Sequence, residues 1–407
     1  MVEICNRTLC TGCGACEQAC PKHCIKLTRD DFDTLYPVIN QDDCIDCGLC
    51  KKKCPSCNHI VTNKPYLCYA AWSNNAKVRH NAASGGMASE LYQLALERGW
   101  FSAGVAFDEQ ACLKFIPIQN ENDIEKVRNS KYVFAQHDGI YDRFKNELKK
   151  GKECLFIGLP CQVAALKSYL GADDEKLHTC DIICHGVSPI QYLYSHISNI
   201  EKKYNFKHTT FSFREPSKGT QSFYFSLWKG KKMMYARNSH TNDVFELAYH
   251  YALIYRENCY HCRYAKTERV GDITIGDFDG LGNKQKFNYY RYQLSCVMVN
   301  NEKGESLITG LKDKMTFVER QVEEAIEGQR QLRQPALPHK NRNVFLLRYK
   351  ELHDFETCAK EALRKEMVRN IYMNFFVRKP IRLLQIVTPQ WFRNYIKMLI
   401  RYARKIV

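Results

Sequence analysis

The run Cys10-Thr11-Gly12-Cys13-Gly14-Ala15-Cys16, closed by Cys20-Pro21, returns as Cys44-Ile45-Asp46-Cys47-Gly48-Leu49-Cys50, closed by Cys54-Pro55. Both copies read C-x2-C-x2-C-x3-C-P, with one constant offset between them. Three thiolates spaced by two residues wrap one face of a four-iron, four-sulfur cube. The fourth comes from elsewhere, and in this motif the last cysteine of each run serves the other cube. The spacing therefore assigns Cys10, Cys13, Cys16 and Cys54 to one [4Fe-4S] cluster, and Cys44, Cys47, Cys50 and Cys20 to a second. Gly14 and Gly48 allow the tight turn around sulfur, and the prolines turn the chain away afterwards. The alternative is structural zinc, which favours separated C-x2-C pairs, often with histidine, and fits two matching four-cysteine runs poorly.

This is the spacing of a bacterial two-cluster ferredoxin, and residues 1–62 are expected to form that domain. At 407 residues the chain is too long for a ferredoxin alone and has room for two or three domains. A 45% hydrophobic content supports a real core. The 21 cysteines cluster in metal spacing with no secretory leader before them, so a reducing, cytoplasmic compartment is expected. No stretch approaches the roughly 18 apolar residues of a membrane span. The net charge of +16 raises nucleic acid as a partner. However, thiolate-bound clusters add negative charge, and the basic excess gathers at the end: Met367 to Val407 holds nine Lys/Arg and no acid. No nucleic-acid partner is expected.

After a linker at Thr62 to Pro65, Ser84-Gly85-Gly86 precedes a helical pattern over Met87 to Arg98 that stops at Gly99. Ala103 to Phe107 reads as a buried strand, and Tyr141 to Lys150 as a helix ended by Gly151. Cys154 to Ile157 is a strand running into Gly158-Leu159-Pro160-Cys161. A helix over Val163 to Leu170 and a strand over Thr179 to Ile183 follow, ending at Cys184-His185-Gly186. This alternation predicts a mixed or parallel sheet, with Cys161 and Cys184 just past the carboxyl ends of strands, where open sheets place their sites. Thr209 to Phe213, Phe223 to Trp228 and Met233 to Tyr235 read as antiparallel strands. Asp272 to Asp277 and a last strand near Leu294 to Val299 complete the pattern. The expected fold class is mixed α/β: a small ferredoxin-type domain, a mixed-sheet catalytic domain in two parts (70–150 and 151–330), and a helical basic tail (339–407).

Taken together, these landmarks resemble the beta subunit family of coenzyme F-420 (deazaflavin) hydrogenases and dehydrogenases. The likeness covers roughly residues 70 to 330. It is carried by Ala83-Ser84-Gly85-Gly86, Asn129-Ser130-Lys131-Tyr132, Gly158-Leu159-Pro160-Cys161-Gln162, Cys184-His185-Gly186, Asn258-Cys259-Tyr260-His261-Cys262 and Gly271 to Asp277. The family often has glycine where this chain has Asn129, a residue that tolerates positive φ better than most. The resemblance implies an FAD-containing iron–sulfur oxidoreductase, with Cys161, Cys184, Cys259 and Cys262 holding a third [4Fe-4S] cluster. From spacing alone, zinc and inert buried thiols remain alternatives for that set. There is no G-x-G-x-x-G fingerprint, so FAD rests on the resemblance. Its candidate contacts are Ser84, Gly85 and Gly86, whose amides could cradle phosphate at a helix start, with Ser130, Lys131, Gly276 and Asp277.

The expected function is transfer of electrons from a reduced carrier, such as ferredoxin or a hydrogenase/dehydrogenase subunit, through clusters to FAD. A small organic acceptor would receive them, either a coenzyme F-420-type deazaflavin or a molecule of surface-polysaccharide biosynthesis. The alternative is a non-catalytic electron-transfer subunit of a larger complex. His185 reads either as a proton donor or as a structural histidine. In the tail, Trp391, Phe392, Tyr395, Ile396, Leu399, Ala403 and Ile406 make an apolar stripe on a basic helix. That stripe would dock on the protein's own core, or on anionic lipid at the inner face of the membrane.

Overall fold

The computed structural model describes residues 3–108, 112–171, 174–289 and 293–378. In the first module the repeat is visible in the backbone. Gly14 (φ 78°) opens the short helix Ala15–Ala19, and Gly48 (φ 70°) opens the matching helix Leu49–Lys52. Between them lies an antiparallel hairpin of β1 (Ile25–Arg29) and β2 (Leu35–Ile39).

The remaining strands in chain order are β3 (Leu67–Ser73), β4 (Phe101–Phe107), β5 (Leu113–Pro117), β6 (Cys154–Gly158) and β7 (Leu177–Ile182). There follow β8 (Thr210–Ser212), β9 (Phe225–Lys229), β10 (Lys232–Arg237), β11 (Ile273–Asp277), β12 (Ser295–Val299) and β13 (Met315–Arg320). Eight of them form one mixed sheet in the order β13-β3-β12-β11-β7-β6-β4-β5. β4, β6, β7 and β11 run parallel, and antiparallel strands flank them on both sides. Every residue of β6 is buried, as befits a parallel strand covered on both faces. β8, β9 and β10 make a separate antiparallel sheet.

The strands expected from the sequence are present, and besides the β1–β2 hairpin the large sheet holds three more. β5 and β13 are the two edges, and β13 extends the chain of strands past the Leu294–Val299 expected to be last. β3 is interior, pairing with both β12 and β13. Its Ala70 and Ala71 are fully buried yet lack the branched side chains that mark strands in a sequence. The 62–65 linker is pinned: Asn63 and Arg269 exchange backbone hydrogen bonds of 2.9 and 2.8 Å.

The ferredoxin-type module is packed against the sheet domain. Cys13 and Ala15 belong to the main hydrophobic core. Tyr141 Oη donates to Cys13 O at 2.9 Å, Tyr192 Oη to Phe32 O at 3.0 Å, and Ser168 Oγ to Lys53 O at 3.0 Å.

The first part of the expected tail is also core. Helices Arg342–Leu352 and Phe355–Ala362 bury Phe345, Phe355 and Cys358 completely, and the Phe355 ring stacks on Tyr192 at 5.3 Å. The stripe from Trp391 onward, and the membrane contact expected of it, lie outside the described residues. Among the described residues no helix is long and apolar enough to cross a membrane.

Candidate functional site

The cysteines gather in three groups. In the first, Cys10, Cys13, Cys16 and Cys54 are all buried, and their charges act on one another. Burial pushes the Cys13 thiol up to about 11. Cys5, which the motif does not include, donates to Cys10 and Cys54 and draws them down to about 7 and about 6. In the second group, Cys20, Cys44, Cys47 and Cys50 line one small cavity of about 60 Å³ with Lys22 and Lys51 at its rim. Cys47 is exposed. Each run's last cysteine thus lies with the other run, as the motif requires of ligands to two cubes.

The third group comes from three places in the sheet domain. Cys161 stands in the first turn of helix Pro160–Leu170 after β6, Cys184 follows β7, and Cys259 and Cys262 come from a short helix, Glu257–Tyr260, and its exit. Burial raises the Cys161 thiol well above its ordinary value, and charge on Cys184, Cys262, Cys259 and Cys13 raises it further. Burial likewise lifts Cys259 to about 11. Thiols so placed stay protonated unless a metal centre takes them. Charge on Cys13 of the first group thus reaches Cys161 of the third, and Tyr141 and Tyr264 feel both. Among the described residues no His/Cys/Asp/Glu group is set to hold a single metal ion.

Beside the third group is a cavity of about 260 Å³, just under the ~300–1,000 Å³ range typical of small-molecule sites. It opens at the carboxyl ends of β6, β7 and β11, where sheets of this kind place ligands. Ser84, Gly86, Ser130, Lys131, Gly276 and Asp277 all line it, as do Cys184 and His185. Gly85 does not, because its N–H is given to Ser295 Oγ at 2.9 Å. The Lys131 ammonium caps the helix Glu121–Val127, donating to the carbonyls of Val127, Arg128 and Asn129 at 2.7, 2.7 and 3.3 Å. Burial lowers its pKa to about 7. Asn129 stands at φ 73°, the left-handed turn for which glycine or asparagine is needed.

Several wall residues carried no mark in the sequence. Arg214, from beyond β8, donates to Tyr132 Oη at 2.7 Å and to Ala83 O at 3.0 Å, and pairs with Asp277. The Tyr132 ring stacks on Tyr249 at 4.3 Å. Gln329 is 1% exposed; its amide nitrogen donates to Asp277 O at 2.6 Å, while its Oε1 is buried without a partner. His185 stands at the rim of the cavity with its side chain exposed. Gln331 Nε2 lies 2.5 Å from its Nδ1.

Comparison with known proteins gives the pattern a place. The family model for the C terminus of the coenzyme F420 hydrogenase/dehydrogenase beta subunit matches residues 151–325, and the corresponding model for its N terminus matches residues 68–139. A "4Fe-4S dicluster domain" model matches residues 9–58. No curated protein matches the chain. A solved chain of the F420-reducing [NiFe] hydrogenase complex from Methanosarcina barkeri is similar at 17% identity and a TM-score of 0.39, covering 75% of this chain and 91% of that one. The chain belongs to the coenzyme F420 hydrogenase/dehydrogenase beta subunit family and carries a 4Fe-4S dicluster domain at its N-terminal end.

Proposed function

We propose that this protein is an iron–sulfur flavoprotein with three [4Fe-4S] clusters and one FAD. It takes single electrons from a reduced protein carrier or a hydrogenase/dehydrogenase-type partner and reduces a small organic acceptor. The observation that carries this reading is Cys184, which belongs both to the third thiol group and to the wall of the cavity. When bound, the clusters carry electrons one at a time, and the flavin combines two of them with a proton into a hydride equivalent.

The residues present fit these groups. Three sets of four thiols are available, the first buried throughout and the third half-buried. Gln329 belongs to the cavity wall, and its Oε1 is a buried acceptor left without a donor. The start of helix Met87–Glu97 lines the same space and offers amides to a phosphate. The rings of Tyr141 and Tyr264 are buried, and both feel the charge of Cys13 and of Cys161. Exposed Cys47 turns the second group toward a docking carrier. With the Gln331 amide donating to Nδ1, the His185 Nε2 carries a proton at the cavity wall, where one must be supplied.

The test is anaerobic mixing of flavin-loaded protein with reduced ferredoxin, followed by a coenzyme F420-type deazaflavin or a nucleotide-linked sugar. Bleaching of the bound flavin and its recovery with one acceptor class are expected, and Cys47→Ser should slow bleaching. Bleaching at an unchanged rate in a Cys184→Ser protein would contradict the route.

A further inference from the structure

Arg256 is among the largest fully buried side chains, at 2% exposure. Its guanidinium is spent on the ferredoxin-type module: Nη1 donates to Thr11 O at 2.7 Å and Nη2 to Leu35 O at 3.3 Å. Its carbon lies 4.0 Å from the centre of the Phe134 ring. A Cβ on Gly12 would fall 2.4 Å from Nη2, so the loop between Cys10 and Cys13 lies directly on the cation. The backbone of the same residue belongs to the third group. Its N–H donates to Val187 O and its carbonyl accepts from the Cys259 N–H, both at 2.9 Å.

Among the described residues the guanidinium has carbonyl and ring partners but no carboxylate. A buried cation without a counter-charge is expensive. Thiolate-bound clusters on either side would supply that charge. The guanidinium holds the carbonyl next to Cys10, while the carbonyl of Arg256 holds the N–H of Cys259, so the residue stands between the two groups. The second group has only Lys22 and Lys51, both exposed.

We infer that Arg256 is the buried counter-charge of the first and third clusters, and that it sets how tightly the first cluster holds an added electron. The inference rests on the three-cluster reading above. Reduction adds one negative charge to a cluster. A fixed cation in a weakly screening interior stabilises the reduced form more than the oxidised one. Arg256 is thus a positioning residue that makes electrons arriving at the exposed second group run inward.

The test is a redox titration of the full-length, anaerobically purified protein, followed by electron paramagnetic resonance, with iron measured in every sample. Arg256→Gln keeps a donor and removes the charge. The first cluster's affinity for an electron is expected to fall at least tenfold, about 59 mV for a one-electron couple, while the second cluster stays put. Arg256→Lys should restore most of the loss. Three retained clusters with unchanged potentials overturn the inference, as does an equal shift of both N-terminal clusters. If Arg256→Gln does not retain iron, the unmodified protein decides. The N-terminal cluster magnetically coupled to the third must be reduced before the other, and the reverse order overturns the inference. Wild-type protein lacking the third cluster overturns the reading beneath it, and iron analysis tells that outcome apart.

Discussion

Arg214 holds Asp277 with two parallel hydrogen bonds, Nη1 to Oδ1 at 3.0 Å and Nη2 to Oδ2 at 2.7 Å. Asp277 ends β11, while Arg214 comes from the loop after β8, so the pair ties the small antiparallel sheet to the large one across the cavity. Bidentate geometry makes this one of the stronger polar links available to a protein. Asp277→Asn keeps the shape and removes the charge. It is expected to lower stability by about 1.5–3 kcal/mol and to weaken FAD retention. Thermal melts and equilibrium dialysis of FAD check both, and a variant that matches wild type in each would contradict this role.

Gly85 acts through the sheet. A Cβ there would stand 2.2 Å from Ala71 O and 2.7 Å from Ser295 N, in the joint between β3 and β12. Gly85→Val is therefore expected to cost about 1–3 kcal/mol by overpacking, and to loosen FAD as a consequence. A protein of unchanged melting temperature that has nevertheless lost FAD would instead assign Gly85 to direct flavin contact.

His196 gives the fold a pH dependence. Its Nδ1 lies 2.8 Å from Glu356 Oε2 and its Nε2 3.1 Å from Asp243 Oδ2, with the ring 1% exposed. Burial opposes its charge, but Asp243 and Glu356 outweigh burial and raise it from 6.5 to about 10. A raised histidine stabilises fully below its unfolded value and loses that contribution as pH rises through the folded one. Stability should therefore decline between roughly pH 6.5 and 10. His196→Leu should cost about 3–5 kcal/mol, since it removes the buried cation that Asp243 and Glu356 share. Its denaturant midpoint should also lose this alkaline slope. An identical slope in wild type and variant would remove His196 as its source.

The cysteine runs were legible because their ligands are set by local spacing, and the structure places Cys20 and Cys54 with the opposite runs. Part of the cavity wall, Ser84, Gly86, Ser130, Lys131, Gly276 and Asp277, was legible through the family resemblance of short motifs. Arg214, Tyr249 and Gln329 were not. Each is an ordinary residue in its own stretch and gains meaning only where β8, the helix Val244–His250 and the helix ending at Gly328 meet. β3 escaped notice because alanines fill a crowded sheet interior without announcing a strand. The burial of the tail's first helices was not legible, because between residues 339 and 363 charged faces hide Phe345 and Phe355.

The most direct measurement is iron and flavin per chain in anaerobically purified protein, wild type beside a Cys259→Ser/Cys262→Ser variant. The expected result is about 12 iron atoms and one FAD in wild type, falling to about eight iron atoms in the variant with the N-terminal clusters intact. About eight iron atoms in both proteins, with no flavin bound or taken up, would contradict the central claim that a third cluster and a flavin share the wall at Cys184.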